Sequence, residues 1–198
     1  MAPRATSLSA RVARLPLPIH GRRIDLDRPR LENVGAIVRL MNDPSVARGT
    51  LHIPYPYTER HAREWVRKTS RERAAGRLLN LSILRRSDGA LLGGVGLHQF
   101  AEESARAEVG YWLGREYRGN GYASEATDLL TRTAFARLGL HRVEARVYAF
   151  NVPSRRLALR CGFRYEGRLR DEVRKDGRWL STLLFARLST DPPPARRY

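Results

Sequence analysis

The run Glu116-Tyr117-Arg118-Gly119-Asn120-Gly121-Tyr122-Ala123 decides how this chain is read. Two glycines stand two apart in a basic turn, and an apolar-periodic segment follows them directly. A strand-like segment, Glu108-Val109-Gly110-Tyr111-Trp112-Leu113, precedes it. The local order is strand, glycine-rich turn, helix. Glycine lets backbone approach a ligand closely and takes up conformations closed to other residues. The first amides of a helix lack partners within it, and the helix dipole adds partial positive charge there. Together these suit a pyrophosphate. A dinucleotide fingerprint would need a third glycine where Ser124 stands, and no Gly-Lys-Ser/Thr of a Walker loop occurs. The glycines alone are equally served by a turn and a helix cap with no ligand.

The 198 residues suit one medium domain with a core of its own. With 42% hydrophobic residues in periodic segments, the chain reads as globular. Cys161 is the single cysteine, which excludes an internal disulfide and fits a reducing, cytoplasmic setting. No stretch is long and apolar enough for a membrane span, and the first twenty residues make a poor signal peptide. The formal charge is +17, and Lys68 and Lys175 are the only lysines. A coding bias toward arginine would produce this charge with no functional meaning, and a basic surface would nonetheless attract polyphosphates, nucleic acid or ribosomes.

Outward from the glycines, periodicity predicts strands near 22–26, 78–84, 91–100, 106–113 and 142–148, and helices near 31–41, 58–75, 121–138 and 152–160. Thr58 and Asn151 suit helix N-caps, and Gly139 suits a helix end. Asn42-Asp43-Pro44 reads as a helix stop. Gly93, Gly94 and Gly96 suggest a bulge or a close backbone approach within a strand. A strand starting at Phe163 and a hairpin, 169–174 with 179–186, complete the pattern. Residues 1–18 read as a loosely ordered segment, 19–188 as one domain and 189–198 as a disordered tail. Hairpins mixed with helical crossovers predict an α+β class, a mixed and mostly antiparallel central sheet flanked by helices.

Three segments now combine: Glu108 to Leu113, then Tyr117-Arg118-Gly119-Asn120-Gly121-Tyr122-Ala123-Ser124-Glu125-Ala126, then Asn151-Val152-Pro153-Ser154 leading to Cys161-Gly162-Phe163. Together they resemble the GNAT superfamily of acetyl-CoA-dependent N-acyltransferases. Within it the chain most resembles the RimJ/RimL branch, which acetylates N-termini of ribosomal proteins. The Pro54-Tyr55-Pro56-Tyr57 loop and the helix carrying Trp65 add to that likeness, which covers residues 20–188. One departure is Glu116, where the family motif often has Gln or Arg. A carboxylate does not help to bind phosphate, so Glu116 is expected to face solvent or to pair with Arg115 or Arg118.

The resemblance implies a site. Acetyl-CoA would lie in a splayed gap between strands 108–113 and 142–148. The amides of Arg118, Gly119, Asn120, Gly121, Tyr122 and Ala123 would meet its pyrophosphate, with the Arg118 side chain adding charge. Strand amides near Tyr111, Trp112 and Leu113 would hold the pantetheine and polarise the thioester carbonyl, an effect worth about 3–4 kcal/mol per preorganised donor. The acceptor is an amine, mostly protonated at neutral pH, so a base must take its proton. Glu108 is the candidate, with His98, Glu102 or Glu103 as substitutes; a surface ion pair is its other reading. Ser154, or else Tyr148, would protonate the leaving thiolate. Asn151 would contact the pantetheine arm, cap the helix after it, or do both. Arg155, Arg156 and Arg160 either approach the adenosine phosphate or line a solvated helix face.

Cys161 has no activating neighbour in sequence and reads as a small buried residue. The five histidines show no ligand spacing, so no metal is expected. The expected partners are acetyl-CoA, a peptide N-terminus or a small amine, and by its charge the ribosome, with no membrane. The acceptor surface would come from residues 52–65, the turn at 101–105 and the 168–179 hairpin. A monomer or homodimer is expected. The alternatives to turnover are a basic ribosome- or nucleic-acid-binding module and a CoA-binding regulator.

Overall fold

The computed structural model describes residues 6–51 and 53–194. One eight-stranded sheet organises the chain: β1 (Ile19–His20), β2 (Ile24–Asp27), β3 (Leu79–Arg85), β4 (Leu91–Ala101), β5 (Arg106–Leu113), β6 (Arg142–Tyr148), β7 (Arg164–Lys175) and β8 (Arg178–Leu188). Their order is β1-β2-β3-β4-β5-β6-β8-β7. Every neighbouring pair is antiparallel except β5 and β6, which run parallel. This is the mixed, mostly antiparallel α+β sheet expected from the hairpin signals.

The parallel pair needs a crossover, and α5 (Tyr122–Leu138) provides it. Ala126, Leu130, Ala134 and Leu138 of α5 are buried in the main apolar core with Leu81, Leu97, Val143 and Phe185 of the sheet. Gly139 adopts φ 67° and ends the helix as its sequence position predicts. On the opposite face, α2 (Val34–Met41) and α4 (Glu59–Ala74) bury Ile37, Leu40, Met41, Ala62 and Val66 in a second cluster. Thr58 caps α4 by accepting from the His61 amide, 3.3 Å. Gly94 lies beneath Trp112, where a Cβ would come 2.5 Å from the indole nitrogen. The close approach expected of that strand is therefore an aromatic ring on bare backbone.

Two expectations need correction. Residues 8–14 are not loosely ordered: they form α1 (Leu8–Arg14). Leu8, Val12 and Leu15 repeat at helical spacing and are buried in the main core. The Leu8 amide donates to Glu102 Oε1, 2.7 Å, and Arg73 donates to the Leu15 carbonyl, 2.6 Å. Residues 1–5 lie outside the described residues. The tail also packs as far as it is described: Asp191 accepts from the Leu188 amide and pairs with Arg164 at 3.2 Å. Residues 195–198 lie outside the described residues.

A further helix, α3 (Pro44–Gly49), begins where a stop was expected. Asp43 accepts from the Ser45 amide at 2.8 Å, and Pro44 fills the first turn. The same dipeptide that ends α2 therefore starts the next helix. Helix α6 (Val152–Arg160) follows β6 as predicted.

Candidate active site

Strands β5 and β6 pair over only three positions, Arg106↔Arg142, Ala107↔Val143 and Glu108↔Glu144. Beyond Glu108 each continues without the other, so the sheet forks. The edge of β5 from Val109 to Leu113 is left without a strand partner on that side. A cavity of about 800 Å³ opens at the fork. Its walls are Tyr111, Trp112 and Leu113 of β5, the loop Arg118–Ser124, Ser45, Val46, Arg48, Gly49 and Thr50 at α3, and Asn151 with Ser154 and Leu157 of the helix it caps.

The loop Arg118–Ala123 is a ready anion cradle. Gly119 and Gly121 adopt φ 82° and 78°, the left-handed region that glycine enters without strain. The Glu125 amide is the first of α5 to bond back, to the Gly121 carbonyl at 3.0 Å. Among the described residues, the amides from Gly119 to Ser124 meet no acceptor. Unpaired N–H groups at a helix N-terminus, facing a cavity and carrying the dipole's positive end, fit a diphosphate.

The remaining predicted residues divide. Tyr111, Trp112, Leu113, Asn151 and Ser154 line the cavity together with Arg118, Gly119, Asn120, Gly121, Tyr122 and Ala123. Asn151 Oδ1 accepts from the Ser154 amide at 3.2 Å, so it caps α6 while lining the site. The Ser154 hydroxyl makes no hydrogen bond among the described residues, and its carbonyl accepts from the Tyr111 hydroxyl at 3.4 Å. Burial pushes the Tyr111 phenol up to about 12, so it stays protonated at neutral pH.

Glu108 and Tyr148 are not among the cavity-lining residues. Glu108 sits at the crotch of the fork, bonded to Arg146 at 2.5 Å. Arg146 also meets Glu144 at 3.2 Å and Glu172 at 3.3 Å, an ion-pair ladder across β5, β6 and β7. Tyr148 stacks on Phe150 at the cavity mouth, ring centroids 5.3 Å apart, and burial raises its phenol pKa.

Some side chains act differently from the sequence reading. Arg118 is spoken for: its Nε donates to the Leu113 carbonyl at 3.1 Å and its Nη1 to the Ser45 hydroxyl at 2.7 Å. It fastens the cradle to α3 rather than reaching freely toward a phosphate. Glu116 pairs with Arg39 of α2 at 2.5 Å, not with Arg115 or Arg118. Glu102 is committed to the start of α1, and the turn at 101–105 stands at the opposite end of β5 from the cavity. No residue of that turn lines the cavity. His98 lies across from Glu108 on β4. Of the three arginines of α6, only Arg160 lines the cavity. Cys161 is buried, and desolvation pushes its thiol up to about 12, which removes it as a nucleophile.

The α3 wall was missed by sequence reasoning. The β7–β8 hairpin reaches it, because Lys175 Nζ donates to the carbonyls of Ala47 and Thr50. Asp43 ahead of Pro44 was the signal available.

Residues 23–164 match the Acetyltransferase (GNAT) domain. The chain belongs to the GNAT acetyltransferase family. It is 30% identical to the uncharacterized N-acetyltransferase p20 of Bacillus licheniformis over 87% of this chain and 97% of that protein. It is 32% identical to the [ribosomal protein uS5]-alanine N-acetyltransferase of Escherichia coli (strain K12), over 44% of this chain and 45% of that enzyme. The fold superposes on Mycobacterium smegmatis RimJ in complex with CoA-disulfide, with TM-score 0.79 and 24% identity over 88% of each chain. This GNAT chain is thus an N-acetyltransferase, moving an acetyl group from acetyl-CoA to an amine.

Proposed function

We propose that this GNAT enzyme acetylates the α-amine of a protein N-terminus, with donor and acceptor bound together at the fork of β5 and β6. One observation carries the reading: a cavity whose cradle amides lack acceptors lies beside a β5 edge that lacks a strand. The acceptor assignment draws support from relatives named for ribosomal proteins and from the net charge of +17, which favours encounter with an anionic assembly such as the ribosome. A cytoplasmic location follows from such a partner.

The amides from Gly119 to Ala123 hold the pyrophosphate of acetyl-CoA, and Asn151 and Leu113 flank its pantetheine arm. Acetyl-CoA supplies the activated acetyl group. The free N–H groups of β5 near Tyr111 to Leu113 donate to the acyl oxygen. Glu108, paired with Arg146, takes the amine's proton through water. The route is through water because Glu108 is not among the residues that line the cavity. A C–N bond forms, the C–S bond breaks, and the thiolate takes a proton from the Ser154 hydroxyl or from Tyr148.

The test is an acetylation screen over N-terminal peptides and small amines, read by thiol release. Turnover of a peptide α-amine at a rate well above lysine side chains and polyamines is the expected result. Turnover confined to a small amine refutes the acceptor assignment. Absence of CoA binding in calorimetry, with salt-dependent RNA binding instead, favours the nucleic-acid-binding module.

A further inference from the structure

The cradle does not stand on its own backbone alone. Arg23, immediately ahead of β2, and Glu125, in the first turn of α5, stand 102 positions apart in sequence yet meet beside the cradle. Arg23 N–H donates to Glu125 Oε1 at 2.8 Å, and Arg23 Nε donates to Glu125 Oε2 at 2.8 Å. The third contact leaves the pair: Arg23 Nη1 donates to the Asn120 carbonyl at 2.9 Å. The guanidinium also lies over the Tyr122 ring, 4.9 Å from its centroid. The Glu125 side chain is 5% exposed. Gly21 keeps its place open, since a Cβ there would come 3.1 Å from Glu125 Oε1.

The geometry points to Arg23 and Glu125 as positioning residues that aim the cradle amides at the cofactor pyrophosphate. This rests on the acetyl-CoA reading above. In a trans peptide, the carbonyl of one residue and the N–H of the next point opposite ways. Holding the Asn120 carbonyl toward Arg23 turns the Gly121 N–H to the other side, where the cavity lies. Glycine at 119 and 121 makes the loop easy to bend, so an outside anchor is needed to fix it. The pairing has a second consequence. A lone buried carboxylate beneath an anion site would repel the diphosphate and would itself be costly. Arg23 neutralises it and still has a fork arm left for Asn120.

Arg23→Lys is the sharpest variant. It retains the charge opposite Glu125 but lacks the planar fork that reaches two acceptors at once. The expected result is a folded protein whose calorimetric Kd for CoA, and KM for acetyl-CoA, rise about tenfold with kcat little changed, the loss of one charge-assisted bond. The KM for S-acetylpantetheine, which has no diphosphate, should stay at the wild-type value. Equal CoA affinity in Arg23→Lys and wild type overturns the assignment, and so does an equal loss toward S-acetylpantetheine, which would mark general damage. Should Arg23→Lys fail to fold, the double variant Arg23→Met/Glu125→Met removes both charges and leaves an apolar pair. Weak CoA binding by it supports the anchor; wild-type binding overturns it. A wild-type chain that binds no CoA at all overturns the acetyl-CoA reading itself, a result distinct from any of these.

Discussion

The two sides of the fork are built of different materials. On the α5 side the cradle offers backbone: N–H groups at two left-handed glycines, with no side chain required to touch the anion. On the β6–β7 side the surface is made of side chains: Glu144 and Glu172 with Glu108 of β5 around Arg146, and Tyr148 stacked on Phe150. Backbone recognition fits what every acyl-CoA shares. Side-chain recognition can vary from one acceptor to the next without disturbing the fold. The α3 segment joins the two, since Arg118 of the cradle holds Ser45 while Lys175 of the hairpin holds Ala47 and Thr50.

The contrast is broken most severely at Gly121. A Trp there must adopt a left-handed φ and fill the cradle, so Gly121→Trp should weaken CoA binding at least ~100-fold while circular dichroism stays native. Retained binding in calorimetry would show that the backbone cradle is not the anion site. Next in size is Glu108→Gln, expected to lower kcat by about 100-fold with an unchanged Kd for acetyl-CoA. Arg146 retains Glu144 and Glu172, so the fold should hold. An unaltered pH–rate profile in this variant would remove Glu108 from proton transfer.

Arg118→Ala tests the joint between the two sides. Losing its bonds to Ser45 and the Leu113 carbonyl should raise KM for both substrates by about threefold to tenfold. A rise confined to acetyl-CoA would return Arg118 to a purely phosphate-side role. The smallest effect concerns pH. Burial lowers the His98 pKa, opposed by Glu108 and reinforced by Arg146. A histidine whose folded pKa is depressed binds fewer protons folded than unfolded as pH falls below about 6.5. Its contribution to stability is therefore complete above that pH and declines below it. Thermal melts from pH 7.5 to 5.5 should show a drop that His98→Gln reduces; an identical slope in both proteins would assign the drop to other groups.

What the sequence revealed follows the same division. Strand, glycine turn and helix are local patterns, so the cradle, β5, α5 and the Asn151 cap could be placed from residue types and spacing alone. Long-range partners could not. Nothing in the string connects Glu116 to Arg39, Arg118 to Ser45, or Glu102 to the Leu8 amide. Each of these is a contact between distant segments, made only when the sheet brings them together. Two local signals were present and misread: Leu8, Val12 and Leu15 form a helical stripe hidden among arginines, and Asp43-Pro44 opens a helix as well as closing one.

The strand order has a consequence for how the molecule must be made. Strand β8 is the last to leave the ribosome, yet it lies between β6 and β7 and pairs with β6 over seven positions, from Arg142↔Leu188 to Tyr148↔Thr182. Until it arrives, β6 is an open edge that invites pairing with a neighbouring chain. A truncation at residue 164, where the domain match ends, would make that exposure permanent, whatever it preserved of the glycine loop.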